Sequence, residues 1–140
     1  MDQETNDGLC SIFYISRLTV SATQIDSIIR VAGRNNRDRD ITGGLLFTGR
    51  YFAQVLEGPT DTIASTMQAI VADTRHSDIT TLSSGPVVAR RFRHWSMGFV
   101  LAPAADRLVG ALMDQPDDID AQGRLNHMLS ELIESRAARF

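Results

Sequence analysis

Apolar and polar positions divide the chain into short segments of alternating character. Residues 9 to 15, LCSIFYI, form an apolar run with aromatic and β-branched members, which predicts a strand buried on both faces. Ser21 followed three residues later by Gln24 fits a capping box, and Ile25, Ile28, Ile29 and Ala32 continue at helical spacing, predicting a helix that ends near Arg34. Asn35 to Asp40 is polar and turn-forming. In GLLFTGRYFAQVLEG, two apolar halves flank Thr48-Gly49-Arg50, the pattern of a hairpin with strands near 44–48 and 51–57. After Gly58-Pro59, Thr60 is placed to cap a second helix with Ile63, Met67, Ile70 and Val71 on its apolar face, stopping near Asp73. DITTLS, residues 78–83, suits a fourth strand that Gly85-Pro86 should break, and HWSMGFVL, 94–101, a fifth.

The resulting order, β, α, β, β, α, β, β, predicts an α+β protein similar to a ferredoxin-like sandwich, a five-stranded mixed sheet with two helices on one face. The last forty residues read as helical, with Leu108, Ala111 and Leu112 in one segment and Leu125, Met128, Leu129, Leu132 and Ile133 in another, divided at Pro116. Asp117, Asp118 and Asp120 near the start of the second segment, with Arg136 and Arg139 near its end, complement a helix macrodipole. Because the first strand is apolar on both faces, this tail is expected to cover the open sheet face, within the chain or between chains. The expected division is a domain over residues 1–103 and a C-terminal helical extension over 104–140.

Composition narrows the function. A chain of 140 residues with 43% hydrophobic and 22% charged residues is one soluble globular domain. No apolar run approaches a membrane span, and the start MDQETNDG is acidic rather than signal-like, so a cytoplasmic protein is expected. The single Cys10 supports neither an internal disulfide nor a multi-thiolate metal site, which fits a reducing compartment and no metal. A net charge of -3 provides no general attraction to nucleic acid. All 14 basic residues are arginine, which excludes a lysine Schiff base, covalent pyridoxal phosphate and a Walker lysine.

Strand alternation groups Cys10, Ile12 and Tyr14, then Phe52, Gln54 and Leu56, then Trp95, Met97 and Phe99; parity does not say whether these faces coincide. A tyrosine hydroxyl and a glutamine amide inside apolar strands need partners, at a cost of about 1–3 kcal/mol each if unmet. A bound polar ligand is one partner. Water at a strand end and backbone carbonyls are the ordinary ones.

The segments FYISR, NNRDRDITGGLLFTGRYFAQVLEGP, DTRHSDI and GPVVARRFRHWSMGF resemble, in order and spacing across about residues 9–100, the BLUF family of blue-light sensors that bind flavin adenine dinucleotide, FAD. The resemblance implies that Tyr14 is the photoactive tyrosine, Gln54 the switching glutamine, and Asn36 the asparagine that hydrogen-bonds the flavin ring. It implies further that Ile28, Asn35, Asp73, Arg75 and His76 line the cofactor, and that Trp95 and Met97 relay the signal from strand five. Ala69 falls where many relatives have a polar or basic side chain, and the Tyr14–Asn36 interval is shorter than usual, so one flavin contact is missing and the first loop is trimmed. Residues 1–103 would then be a photosensor domain and not an enzyme.

The residues suit that chemistry. A phenol beside a photo-excited flavin can give up an electron and then an acidified proton. An amide carries both donor and acceptor, so rotation or tautomerisation of Gln54 reverses what the flavin meets. In the family, recombination leaves oxidised flavin with a rearranged network and a slightly red-shifted spectrum. Plainer roles stay open for the same side chains: Trp95 and Met97 as ordinary core, Arg75 and His76 as a solvated helix end, and Arg30, Arg34, Arg37 and Arg39 as a solvated face rather than phosphate ligands. Arg90, Arg91 and Arg93 share that last reading. A small flavin reductase and a cofactor-free interaction module are the alternative functions. With about forty residues after the sensor, output is expected to pass to a separate protein, with strand five and the tail helices as its route and homo-oligomers possible.

Overall fold

The computed structural model describes residues 8–136, 138 and 139. The acidic N-terminal stretch and the side chains of Arg136 and Arg139 lie outside the described residues. Strands β1 (Leu9–Leu18), β2 (Thr42–Phe47), β3 (Tyr51–Pro59), β4 (His76–Val87), β5 (Gly98–Leu101) and β6 (Ala138–Arg139) form one sheet in the order β4-β1-β3-β2-β5-β6. The β2–β5 pair is parallel and the other pairs antiparallel, so the expected five strands make a mixed sheet. The two-residue β6 adds to its edge.

Helices α1 (Ile25–Asp38) and α2 (Thr60–Ala72) cover one face. Helices α3 (Asp106–Asp114) and α4 (Ile119–Arg136) cover the other. Alternation explains both layers: Tyr14, Phe52, Gln54 and Leu56 point toward α1 and α2, whereas Phe13, Ile15, Ala53 and Val55 meet Val109, Leu112, Leu125, Leu129 and Ile133. A strand apolar on both faces thus lies at the centre of a three-layer sandwich.

Element ends depart from the sequence pattern where side chains override it. Helix α1 runs a turn past Arg34, to Asp38, because Asn36 is buried and its amide finds a tertiary partner; Asp40, at φ 60, turns the chain out into Ile41. The Ser21–Gln24 capping box does not form. Ser21 Oγ instead accepts from Thr23, and a 3-10 turn over Ala22–Gln24 leads into the helix. Thr60 is the first residue of α2 rather than its cap, its hydroxyl donating to the Gly8 carbonyl, and Val71 is exposed. Strand β4 continues through Gly85-Pro86 to Val87 because it is an edge strand, where a missing N–H costs no ladder bond. Between Thr48 and Tyr51 the hairpin turns through Gly49 at φ 115, with Tyr51 N–H donating to Thr48 Oγ1.

Strand β5 is shorter than the expected 94–101. Residues 88–97 form an irregular segment, so Trp95 and Met97 precede the strand and do not share a face. Met97 is buried with Ile25, Ile29, Leu45 and Phe52 on the α1 side. Trp95 packs on the α3–α4 side, its ring stacked over Phe92 at 6.3 Å between centroids.

Two glycines test the packing in opposite directions. A Cβ on Gly43 would sit 2.1 Å from the Val55 carbonyl oxygen, a backbone atom, whereas one on Gly123 in α4 would meet nothing within 4 Å. Gly43→Ala should lose about 1–3 kcal/mol of unfolding free energy and Gly123→Ala gain roughly 0.5–1 kcal/mol, both read from urea denaturation midpoints.

Candidate functional site

The site begins with strand register. Tyr14 on β1 and Gln54 on β3 are directly opposed, so two polar tips share one face of a mostly apolar sheet centre. Tyr14 is 3% exposed and Gln54 5%. The phenol donates to Gln54 Oε1, and Gln54 Nε2 points its other way toward Met97 Sδ at 3.8 Å. Each tip supplies the other's partner, and the Gln54 amide is left with an N–H for the space above it.

That space is a cleft between α1 and α2, over the sheet. Tyr14, Ile28, Asn35, Asn36, Gln54, Asp73, Arg75 and His76 all line it. Trp95 and Met97 do not: Met97 lies behind Gln54, and Trp95 on the opposite side of the sheet. Phe52, which alternation groups with Gln54, and Arg39, whose plainer reading is a solvated face rather than a phosphate ligand, also line the cleft, as does Thr66, which the sequence pattern does not single out. Phe52 lies two residues before Gln54 on the same strand face, and Thr66 lies one turn after Ile63 on the buried stripe of α2; those spacings were the available signals. Arg39 donates to Thr66 Oγ1 at 3.2 Å across the mouth.

Asn36 projects from the last turns of α1. Its Nδ2 donates to the Ser96 carbonyl at 2.8 Å, while its Oδ1 has no protein partner among the described residues and is buried beside the cleft. An amide oxygen in that position calls for a ligand N–H. His76, the first residue of β4 rather than the end of α2, is held at both nitrogens. Its Nε2 donates to the Ile70 carbonyl at 2.8 Å, so in the neutral ring Nδ1 accepts from Ser16 Oγ, also at 2.8 Å. His76 therefore shapes the cleft wall, edge-on to Tyr14 and Phe52. Arg75 and Asp73 make a bidentate pair at 3.0 and 2.7 Å, which holds the Asp73 carboxyl below its ordinary range.

Burial, with the Asp73 charge adding to it, holds the Tyr14 phenol well above its ordinary pKa of 10.0. The phenol stays neutral, a hydrogen-bond donor able to release a proton only if its charge changes first. The donor set suits a planar heteroaromatic ligand with adjacent carbonyl and N–H edges. Asn36 Oδ1 is an acceptor for an N–H, Gln54 Nε2 a donor, and Ile28 and Phe52 apolar walls. Among the described residues no cluster of His, Cys, Asp or Glu could hold a metal ion, and no helix is long and apolar enough to cross a membrane.

Such a fold and cleft define an α+β domain with a small-ligand cleft over a buried, hydrogen-bonded phenol–amide pair. Residues 9–98 match the family model of BLUF, sensors of blue light using FAD. The chain belongs to the BLUF family of flavin-binding blue-light sensors. It is 36% identical over 135 residues to photoactivated adenylate cyclase subunit beta of Euglena gracilis, covering 94% of this chain and 15% of that protein. It is 41% identical over 69 residues to the blue light- and temperature-regulated antirepressor BluF of Escherichia coli, covering 49% of this chain and 17% of that one. The chain thus spans less than a fifth of these relatives. In structure it is similar to the BLUF protein BlrB in its dark state, with a TM-score of 0.75 and 30% identity over 90% of this chain and 98% of that one. Ground-state BlsA, at 21% identity and a TM-score of 0.73, covers 94% and 91% and shares the fold.

A raised phenol pKa stabilises the fold below the unfolded value near 10, and that contribution is lost as pH rises through the folded value. Ultraviolet titration of the wild type and Tyr14→Phe should therefore give no Tyr14 tyrosinate signal at pH 10 while the chain is folded. A difference spectrum of one ionised tyrosine there would contradict the burial argument.

Proposed function

We propose that this chain is a blue-light photoreceptor that holds FAD non-covalently in the α1–α2 cleft and is not itself an enzyme. The reading rests on one observation above all: a buried tyrosine hydroxyl donating to a glutamine carbonyl in that cleft, with the same amide's N–H left over. Asn36 would orient the ring system, Ile28 and Asn35 flank it from α1, and the Asp73–Arg75 pair and His76 close the far wall. Arg39 also lines the cleft and would offer a positive charge to a phosphate-bearing part of the cofactor.

When bound, the flavin supplies a light-generated oxidant for a neighbouring donor. Tyr14 is that donor. Its hydroxyl becomes strongly acidic once an electron has gone, and Gln54 Oε1 is already in place to accept the proton. The Gln54 amide then carries the change. Turned over or tautomerised, it offers an acceptor where it had offered a donor, and its contact with Met97 Sδ alters at the same time. Met97 leads within one residue to Gly98, where a Cβ would stand 2.6 Å from Ile133 of α4 and 2.8 Å from the Trp95 ring. The helical layer over 104–136 is accordingly the output surface, presented to a separate downstream protein or a second copy in the cytoplasm, with nucleic acid and membrane playing no part.

The purified protein should be yellow and should show a reversible red shift of its flavin bands after blue light. Tyr14→Phe should abolish the shift, and Gln54→Leu should bind flavin but lose the normal photocycle. Absorption spectra before and after illumination decide all three, and a full shift in Tyr14→Phe would end the reading. Hydrogen exchange should differ between dark and light across residues 94–136, and unchanged protection there would remove the proposed output route.

A further inference from the structure

Glu57 lies near the C-terminal end of the apolar strand β3, 3% exposed, on the α3–α4 side of the sheet where its neighbours by alternation are Ala53 and Val55. A carboxylate there would be costly without donors, and it has three. Arg91 N–H donates to Oε2 at 2.6 Å, Phe92 N–H to Oε1 at 2.8 Å, and Thr42 Oγ1 to Oε1 at 3.1 Å. Arg90 completes the assembly from outside, donating to Thr42 Oγ1 at 3.1 Å and to the Glu57 carbonyl at 3.2 Å. Two consecutive backbone N–H groups of an irregular segment are thus held by one buried carboxylate, in charge-assisted bonds stronger than ordinary amide pairs.

The held residues lie in the irregular segment, a few positions before Trp95 and Met97. Phe92 is buried under the Trp95 ring, and its carbonyl accepts from Trp95 N–H at 3.1 Å. Further on, the Trp95 carbonyl accepts from Gly43 N–H at 3.2 Å, and the Ser96 carbonyl from Asn36 Nδ2 at 2.8 Å. These attachments differ in kind. The Asn36 bond comes from a side chain that lines the cleft, so a change there can break or remake it; the Glu57 bonds come from the far side of the sheet.

We propose that Glu57 is a positioning residue of the light response, a fixed clamp on Arg91–Phe92 that confines movement to residues 93–97 and directs it forward into β5 and α4. The proposal rests on the photoreceptor reading for its light-dependent half, and its dark half stands without it. Removing the clamp lets the segment move as a whole, so the displaced state relaxes back more easily.

Glu57→Ala leaves three donors bare and is unsuited as a test, so Glu57→Gln, of the same shape, is the variant of choice. Its single carbonyl can serve Phe92 and Thr42, and its NH2 then faces the Arg91 N–H. In the dark, exchange of the Arg91 amide, followed residue by residue by NMR, should be about tenfold faster or more than in the wild type. Thr42→Val, which keeps both carboxylate–amide bonds, should leave Arg91 protected. In flavin-loaded protein Glu57→Gln should retain the full red shift yet recover in the dark about tenfold faster. The emission of Trp95, the single tryptophan of the chain, should change less on illumination than in the wild type. Wild-type protein gives an independent arm: light should alter exchange at Ser96 and Met97 and leave Arg91 and Phe92 protected. Unchanged Arg91 exchange in Glu57→Gln, unchanged recovery, or a light-induced loss of protection at Arg91 and Phe92 in the wild type would each overturn the clamp. Absence of any red shift in the wild type would instead sink the photoreceptor reading, and the dark exchange of Arg91 would still decide whether Glu57 holds the segment.

Discussion

The structure depends on one constraint: two polar side chains placed opposite each other at the centre of a sheet whose faces are covered mainly by apolar residues. Tyr14 and Gln54 satisfy one another only because β1 and β3 pair in a register that aligns them, and a slip of one residue would send one of the two tips into the opposite layer and part the pair. The register is held from both sides. Phe13, Ile15, Ala53 and Val55 pack under α3 and α4, and Leu56 packs under α2, so the hydrophobic layers fix the geometry of the polar pair. The C-terminal helices therefore contribute to the cleft without touching it.

Charges around the cleft are largely paired off among themselves, although the Asp73 charge still reaches the Tyr14 phenol. Asp73 and Arg75 neutralise each other at its edge, and His76 is committed to Ser16 and Ile70. Glu57, which holds Arg91 and Phe92, faces away from the cleft and is occupied by backbone donors. The polar atoms left available to a ligand are few, Asn36 Oδ1 and a Gln54 N–H among them, and both belong to amides, which can exchange donor for acceptor without exchanging charge.

Much of this was legible in the chain. The apolar periods gave the five main strands, four helices and the Thr48–Arg50 turn, because each is set by local alternation. Motif resemblance brought eight residues to one cleft, since their spacing encodes the topology that gathers them. What remained hidden depends on contacts distant in sequence. Asn36 extends α1 beyond its polar-looking end by reaching Ser96, sixty residues on. Edge position, which no local pattern reveals, lets β4 pass through Pro86. Parity failed at Trp95 and Met97 because it presumes a pleated strand, and the chain there is irregular. Glu57 was overlooked for a related reason: an acidic residue at a strand end reads as solvated until the segment that folds over it is seen.

The positions of Trp95 and Met97, two residues apart yet on opposite sides of the sheet, carry a mechanical consequence. The backbone between them threads the plane of the sheet like a pivot, so neither side chain can shift far without levering the other. Close-packed layers resist intermediate placements, since a partly withdrawn ring or thioether leaves a void on one side and a clash on the other. A stretch of three residues thus ties the packing on one face of the sheet to the packing on the other.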